Sequence, residues 1–183
     1  MNPAPVSASD VAVLRKAYLE SLGAEMDRQR DIMASAAYQA GDAEAVAARY
    51  RIHFKRALKR PEDYEKLTTR MKAGFVGQGK EGMVKARAVE DQLMRDTWQR
   101  AGYDLLPQLG RLRIRTLVIA GNDDFIPVPV AEHIARAIPN ATLVMIRDCG
   151  HFAYLECPGD VRTAFNDSFR ALKTDAAAGL VAP

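Results

Sequence analysis

Two aspartates and a histidine directly follow two short apolar runs in the last third of the 183-residue sequence. Asp123 and Asp124 come after the run at 114–120, and His151 comes after the run at 142–146. If both runs are parallel strands of one sheet, the loops at their carboxyl ends lie side by side, where open α/β sheets bind their ligands. A carboxylate beside an imidazole fixes its tautomer and stabilises the imidazolium, so the histidine can serve as a general base for a nucleophile.

A plainer interpretation of the same residues needs no catalysis. Aspartates beside Gly121 suit a turn, and a loop histidine can make an ordinary hydrogen bond to the backbone. The spacing alone leaves both interpretations open.

The spacing of apolar residues predicts an α/β fold with helices first and a strand–helix–strand unit afterwards. We expect helices from Ser9 to Gly41 (one, or two with a break near Gly23), from Asp42 to Leu58, from Pro61 to Met71, and from Met83 to Gly102 after a loop at 74–82. A strand at 114–120, a helix at 130–138 and a strand at 142–146 then predict a parallel βαβ unit, closed by a helix at 158–172. The expected regions are therefore a helical part at 1–102, a βαβα part at 103–173 and a flexible tail at 174–183.

Composition and charge argue against several classes of protein. The chain is 48% hydrophobic, which is enough to bury a core, and its 26 basic and 23 acidic residues are interspersed. The helical spacing of one basic group predicts a solvated face and no nucleic-acid partner; its members are Arg49, Arg51, Lys55, Arg56, Lys59 and Arg60. No apolar run approaches the roughly 18 residues of a membrane span, and residues 1–10 lack a signal-peptide layout. We therefore expect a cytoplasmic protein without a membrane partner.

The two cysteines, the other histidines and Glu156 are expected to be structural. Cys149 and Cys157 are too few and too close together for the disulfide framework of a secreted protein, which favours a reducing compartment. Cys149 could be a thiol nucleophile, and Cys149, His151 and Cys157 could ligate zinc, but packing is the more plausible role for the cysteines, so we expect no metal and no cofactor. We expect His53 and His133 to lie on the solvated surface of predicted helices. Glu156 is expected at a helix amino terminus, facing the dipole.

The segments around Asp124 and His151 resemble the α/β-hydrolase superfamily of serine hydrolases, over about residues 110–172. An apolar strand, then a glycine, the acid and a proline are similar to the family's acid motif, and Gly-His-aromatic followed by Glu-x-Pro resembles its histidine motif. The matching residues are Gly121, Asp124, Pro127, Gly150, His151, Phe152, Glu156 and Pro158. The resemblance implies that Asp124, and not Asp123, is the acid of the triad and that His151 is its base.

The same resemblance implies a role for the helical region. The helices before Gly102 would form a cap over the substrate. The long cap, together with the Asp-Phe-Ile-Pro and Gly-His-Phe-x-Tyr-x-Glu segments, resembles the proline-iminopeptidase branch of the family. The substrate would then be a small molecule or a short peptide, cleaved at an amide or ester bond.

The family's nucleophile motif is absent from this sequence. A Gly-x-Ser-x-Gly elbow should precede the acid, yet no serine here lies between glycines, and no glycine-rich oxyanion loop is present. We therefore expect a chain that corresponds to the cap and the carboxyl-terminal part of a hydrolase, and that is inactive alone. The alternative is a non-enzymatic binding module derived from a hydrolase, which self-associates through an exposed sheet edge.

Overall fold

The computed structural model describes residues 4–177, with side chains described for 4–172. In this range six helices precede the first strand: α1 Ala8–Leu22, α2 Glu25–Ala34, α3 Ala36–Gln39, α4 Ala43–His53, α5 Pro61–Asp96 and α6 Leu106–Leu109. The elements that follow are β1 Thr116–Gly121, α7 Val128–Ala137, β2 Ala141–Ile146, α8 Ala153–Glu156 and α9 Pro158–Ala177. We call α1–α5 the cap helices. Because α9 continues to Ala177, the first residues of the predicted tail are helical; 178–183 lie outside the described residues.

Local capping sets where the first helices begin and end. The Ser7 side chain accepts a hydrogen bond from the Asp10 backbone N–H and caps α1, so the helix begins at Ala8, one residue before the predicted start at Ser9. The helix breaks at Gly23, whose φ of 50° is a conformation that favours glycine, which confirms the predicted break there. A further break at Ser35, which the sequence did not predict, separates α2 from α3. Asp42 caps α4 as predicted, through its Oδ1 and the N–H groups of two following residues.

The predicted loop at 74–82 is wrong in extent: the helix is broken within this segment at one residue, and the rest of the segment is helical. α5 runs over 36 residues, and its helical backbone is interrupted only at Gly79, which has a φ of 69°. An isolated glycine costs a helix only about 1 kcal/mol relative to alanine. Packing of α5 along α4 around the buried residues Val46 and Met83 outweighs that cost.

The two strands form a parallel pair, as the apolar runs predicted. The register runs from Thr116 opposite Ala141 to Gly121 opposite Ile146, so both strands end at the same edge. One face of the sheet packs on α1 and α7 through the buried residues Val6, Leu14, Val118, Ile126, Val130, Ile134 and Ile138. The opposite face packs on α8 and α9 through Ile119, Ile146, Cys149, Ala153, Cys157 and Ala164. The sheet is therefore covered on both sides, as its nearly continuous apolar runs require.

A helix that spans a membrane must be both long and apolar. Across the described residues, no helix combines the length and the apolar character needed to cross a bilayer.

Candidate active site

The paired strand ends bring Asp124 and His151 together. The His151 Nδ1 lies 3.0 Å from Asp124 Oδ1 and 3.2 Å from Oδ2. The Asp124 side chain is only 2% exposed and the His151 side chain 21%. The same carboxylate also accepts a hydrogen bond from the Ile126 N–H at 2.9 Å, which fixes its direction. A buried carboxylate that faces Nδ1 holds the proton there, so Nε2 is the ring nitrogen that can take a proton from a nucleophile.

The neighbouring aspartate points elsewhere. Asp123 is exposed, and its Oδ2 lies 3.0 Å from Lys59 Nζ. Lys59 Nζ also donates to Asp148 Oδ1 at 2.5 Å. The hydrogen bond to Asp148, and after it the one to Asp123, raises the pKa of Lys59. The hydrogen bond from Lys59 lowers the pKa of Asp148. Of the two adjacent aspartates, Asp124 alone therefore faces the imidazole.

A buried glutamate ties the histidine loop to the cap helices. Glu156 is 4% exposed, and its Oε1 accepts from the backbone N–H groups of Lys59 at 2.6 Å and Arg60 at 3.3 Å. Its Oε2 accepts from Gly150 N–H at 2.9 Å. We call residues 57–60, between α4 and α5, the cap corner. The carboxylate thus bonds to the cap corner and the histidine loop, not to the dipole of α9 as the sequence suggested.

The backbone of the histidine itself makes a second link to the cap corner. His151 N–H donates to the Ala57 carbonyl oxygen at 2.6 Å. Arg60 Nη1 adds a hydrogen bond of 2.7 Å to the Glu156 carbonyl oxygen. The position of His151 is therefore fixed at two points: its ring bonds to Asp124, which follows β1, and its backbone bonds to the cap corner.

His53 lies in an aromatic cluster and not on a solvated surface, so the sequence prediction for this residue is wrong. Its Nδ1 lies 2.7 Å from the Tyr18 hydroxyl oxygen. The Phe125 ring lies between the two histidines, with centroid distances of 6.0 Å to His53 and 4.6 Å to His151. Burial, then the charges of Arg49 and His151, lower the pKa of His53 to about 3. His133 is half-buried, with its Nδ1 2.9 Å from the buried Asp10 Oδ1, so it lies at the surface as predicted but has a specific partner.

The basic group on α4 and the cap corner divides into two kinds of residue. Five of its members are exposed, as predicted: Arg51, Lys55, Arg56, Lys59 and Arg60. Arg49 is the exception, since its Nε and Nη1 atoms are buried and its guanidinium carbon lies 4.5 Å from the centre of the Tyr50 ring. The inward direction of Arg49 follows from its position one helical turn before His53 on the same face of α4.

The low pKa of His53 predicts a loss of stability in mild acid. The folded protein keeps His53 neutral down to about pH 3, whereas the unfolded chain protonates it near its ordinary pKa of 6.5. The unfolded state binds more protons between these values, so the stabilisation is complete above pH 6.5 and declines as the pH falls. We expect about 2 kcal/mol less stability at pH 5 than at pH 7.

Urea unfolding at a series of pH values measures this loss. His53→Gln should flatten the decline between pH 7 and pH 5, whereas His133→Gln, the control for removal of a histidine, should keep it. An equal decline in wild type and His53→Gln would contradict the assignment.

The two cysteines are joined as a disulfide, which the sequence did not predict. Cys149 and Cys157 enclose the histidine loop, and neither is a free thiol. This excludes a thiol nucleophile at Cys149 in the described state. No group of three or more histidine, cysteine, aspartate or glutamate residues within the described part of the chain is placed to hold a metal ion.

Comparison with known proteins identifies relatives of this arrangement. A family profile described as "Alpha/beta hydrolase family" matches residues 4–164. Two proteins called "Putative carbamate hydrolase RutD", from Pseudomonas syringae pv. syringae (strain B728a) and Pseudomonas savastanoi pv. phaseolicola (strain 1448A / Race 6), are 36% and 35% identical over 69 residues. Those residues are 37% of this chain and 27% of each relative.

Solved structures show a similar fold. MenH from S. aureus aligns with a TM-score of 0.52 and 18% identity over 88% of this chain and 54% of its own. A thermophilic esterase aligns with a TM-score of 0.50 and 24% identity over 69% of this chain and 46% of its own. The chain thus spans about half the length of these structures, and its matched segment spans about a quarter of the curated relatives.

Proposed function

The chain belongs to the alpha/beta hydrolase family and has part of that fold, and from this premise we propose that it carries the acid and the base of a serine hydrolase. In the complete enzyme His151 Nε2 would take the proton of a serine hydroxyl as the hydroxyl oxygen attacks the substrate carbonyl. Asp124 would hold the imidazole and stabilise the imidazolium. The observation that carries the proposal is the 3.0 Å contact between the buried Asp124 carboxylate and His151 Nδ1.

The bond to be cleaved is an ester or an amide. Both present a carbonyl carbon to the nucleophile, as does the carbamate named for the RutD relatives, and an esterase is among the similar folds. Within this class we propose the proline-iminopeptidase-like branch and a small-molecule or short-peptide substrate, because of the long helical cap. A cytoplasmic location is also part of the proposal, and a count of free thiols in the protein isolated from cells would test it. Free thiols at Cys149 and Cys157 are expected in a reducing cytoplasm, whereas the disulfide of the structure would leave none.

The nucleophile is proposed to come from the part of a hydrolase to which this chain has no counterpart. The serine hydroxyls near the cap helices already have local roles. Ser7 Oγ caps α1, and the Ser21 and Ser35 hydroxyls donate to the carbonyl oxygens of residues three positions earlier. Such local hydrogen bonds suit capping and turn residues better than an activated alcohol.

Hydrolysis of an aryl ester and of a proline arylamide tests the proposal. We expect background rates from this chain alone, because His151 would have no activated alcohol to deprotonate. Supplied with the amino-terminal half of a family member that carries a Gly-x-Ser-x-Gly elbow, the chain should gain turnover. His151→Ala should abolish that turnover, and Asp124→Asn should lower it by about 10⁴-fold.

Asp123→Asn is the matched control for Asp124. Because Asp123 faces Lys59, its replacement should change the rate by only about twofold or less, as expected of an exposed ion pair. Equal losses in the two variants would contradict the assignment of the acid. Turnover by the chain alone that His151→Ala abolishes would show that the nucleophile lies within this sequence.

A non-enzymatic binding module is the second candidate, and one surface favours it. A groove of about 790 Å³ lies between the strands and α9. Two large apolar side chains next in sequence to groove-lining residues are exposed, Ile114 to 70% and Phe169 to 59%. We propose a second copy of this chain as the occupant, since a two-stranded sheet leaves strand edges that can pair. Sedimentation should then show a dimer that Phe169→Lys dissociates; a monomer at all concentrations would contradict this candidate.

A further inference from the structure

The hydrogen bonds around His53 decide which of its ring nitrogens carries the proton. The Tyr18 hydroxyl donates its one hydrogen to Gln29 Oε1 at 3.1 Å. The hydrogen of the 2.7 Å contact between the Tyr18 hydroxyl oxygen and His53 Nδ1 must therefore come from Nδ1. Because a neutral imidazole has one N–H, the other nitrogen, Nε2, is left as a hydrogen-bond acceptor.

His53 stays neutral at ordinary pH. Burial, then the charges of Arg49 and His151, lower its pKa to about 3. The Nε2 atom therefore remains an acceptor over the whole range in which the protein is expected to be folded.

The His53 Nε2 atom has no partner and is still within reach of solvent. Within residues 4–172 no hydrogen bond joins Nε2 to another residue. The side-chain polar atoms that are both buried and without a partner in this range are Nε and Nη1 of Arg49, and His53 Nε2 is not one of them. A molecule from solution can therefore meet this acceptor.

His53 lines a cavity of about 110 Å³ whose other walls are largely apolar. The side chains of Leu22 and Ile52 and the rings of Tyr18 and Phe125 form these walls. One water molecule needs only about 10–15 Å³ of such space, so the cavity has room for a small organic molecule. Apolar walls with a single well-placed polar atom are typical of small-molecule sites.

The cavity has an opening at the protein surface. The exposed side chains of Lys55 and Arg56 are part of its lining. A larger groove of about 560 Å³ shares these two residues with the cavity, together with Ser21 and Phe125. A ligand can therefore enter between α1 and the end of α4.

The charges around the cavity restrict the ligand to a neutral donor. A carboxylate would place its oxygens against the His53 acceptor, which has no hydrogen to share. An ammonium group would meet the positive charges of Arg49 and Arg56. The remaining charges at the opening largely cancel, because Lys55 Nζ lies 2.7 Å from Glu25 Oε1.

From these observations we propose that the cavity beside His53 binds a small, neutral, largely apolar molecule that donates an N–H or O–H hydrogen bond to Nε2. Aromatic primary amides represent this class. Asp124 and His151 do not line the cavity, so the site goes beyond the proposed hydrolase function and does not depend on it. The Phe125 ring contacts both histidines, and a bound ligand therefore shares one wall with the candidate active site.

Benzamide and acetophenone test the proposal, because they differ only in an NH₂ group against a methyl group. In NMR titrations of the full chain we expect benzamide to bind about threefold or more tightly than acetophenone, as one hydrogen bond supplies. Nuclear Overhauser contacts from benzamide to the Phe125 and Tyr18 rings should place it in the cavity. Benzylammonium, a cationic donor, should bind more weakly than benzamide.

His53→Phe keeps an aromatic ring and removes the acceptor, so it should abolish the preference for benzamide over acetophenone. His133→Gln is the control, since this histidine lies on α7 and does not line the cavity, and it should keep the preference. Nitrogen-15 spectra of wild type test the proposal even if His53→Phe does not fold. They should show the His53 proton on Nδ1.

Several results would overturn the proposal. These are a proton on Nε2 in wild type, equal affinities for benzamide and acetophenone, a benzamide preference that survives in His53→Phe, contacts to benzamide outside the cavity, and benzylammonium binding as tight as benzamide. Turnover by the reconstituted enzyme without benzamide binding would remove this site alone. Benzamide binding that depends on His53, without turnover after reconstitution, would remove the hydrolase function alone.

Discussion

Gly121→Ala is expected to destabilise the fold by about 3 kcal/mol or more, because the last residue of β1 has no room for a side chain. A Cβ at this position would overlap the carbonyl oxygen of Cys149 and lie 2.6 Å from the carbonyl oxygen of Gly150. Both obstacles are backbone atoms of the histidine loop, so they cannot rotate away. The loop would have to move, and His151 would move with it away from Asp124.

Urea unfolding measures the loss, and the NMR signals of the His151 ring measure the displacement. Gly77→Ala is the control, since no atom lies within 4 Å of a Cβ placed there and alanine favours the helix. That variant should be as stable as wild type or up to about 1 kcal/mol more stable. Wild-type stability in Gly121→Ala would contradict the close approach of β1 and the histidine loop.

Glu156→Ala is the second large effect that we expect, a loss of about 3 kcal/mol or more. The substitution removes the acceptor for the N–H groups of Lys59, Arg60 and Gly150, two of them on the cap corner and one on the histidine loop. An unsatisfied buried donor costs about 1–3 kcal/mol. Glu156→Gln should lose less than Glu156→Ala, because one oxygen remains and the new amide NH₂ faces N–H groups.

The matched control is Glu132→Ala, which removes an exposed carboxylate whose partner is Arg136. Its stability should stay within about 0.5 kcal/mol of wild type. Denaturant unfolding decides between the variants, and amide exchange at Lys59 and Gly150 reports whether their donors have lost an acceptor. A Glu156→Ala variant that is as stable as the Glu132→Ala control would contradict the role of the buried carboxylate.

The elements with strong local signals were predictable from the sequence. The two apolar runs predicted the parallel strands, and Asp42 predicted the start of α4, because strand burial and helix capping depend on residues close in sequence. The sequence placed a loop at 74–82 where α5 has only a kink at Gly79, because glycine is a local signal against helix, whereas the packing of α5 along α4 is a tertiary one.

The surroundings of the site depended on contacts between residues far apart in sequence. Glu156 bonds to Lys59 across 97 positions, and no periodicity near either residue predicts that contact. His53 and Arg49 carry polar side chains and were assigned to the surface, yet His53 is packed against the rings of Tyr18 and Phe125, which are distant in sequence, and two Arg49 nitrogens are buried. For Arg49 a signal was present: it lies one helical turn after Val46, an apolar residue that is buried in α4.

The cap corner has a mechanical consequence for any motion of the helical region. Its backbone is bonded both to the Glu156 carboxylate and to the peptide group of His151. An outward displacement of the cap corner would pull the His151 backbone with it and move the imidazole away from Asp124. The position of the cap helices at residues 57–60 and the position of His151 beside Asp124 are therefore coupled through one short stretch of main chain.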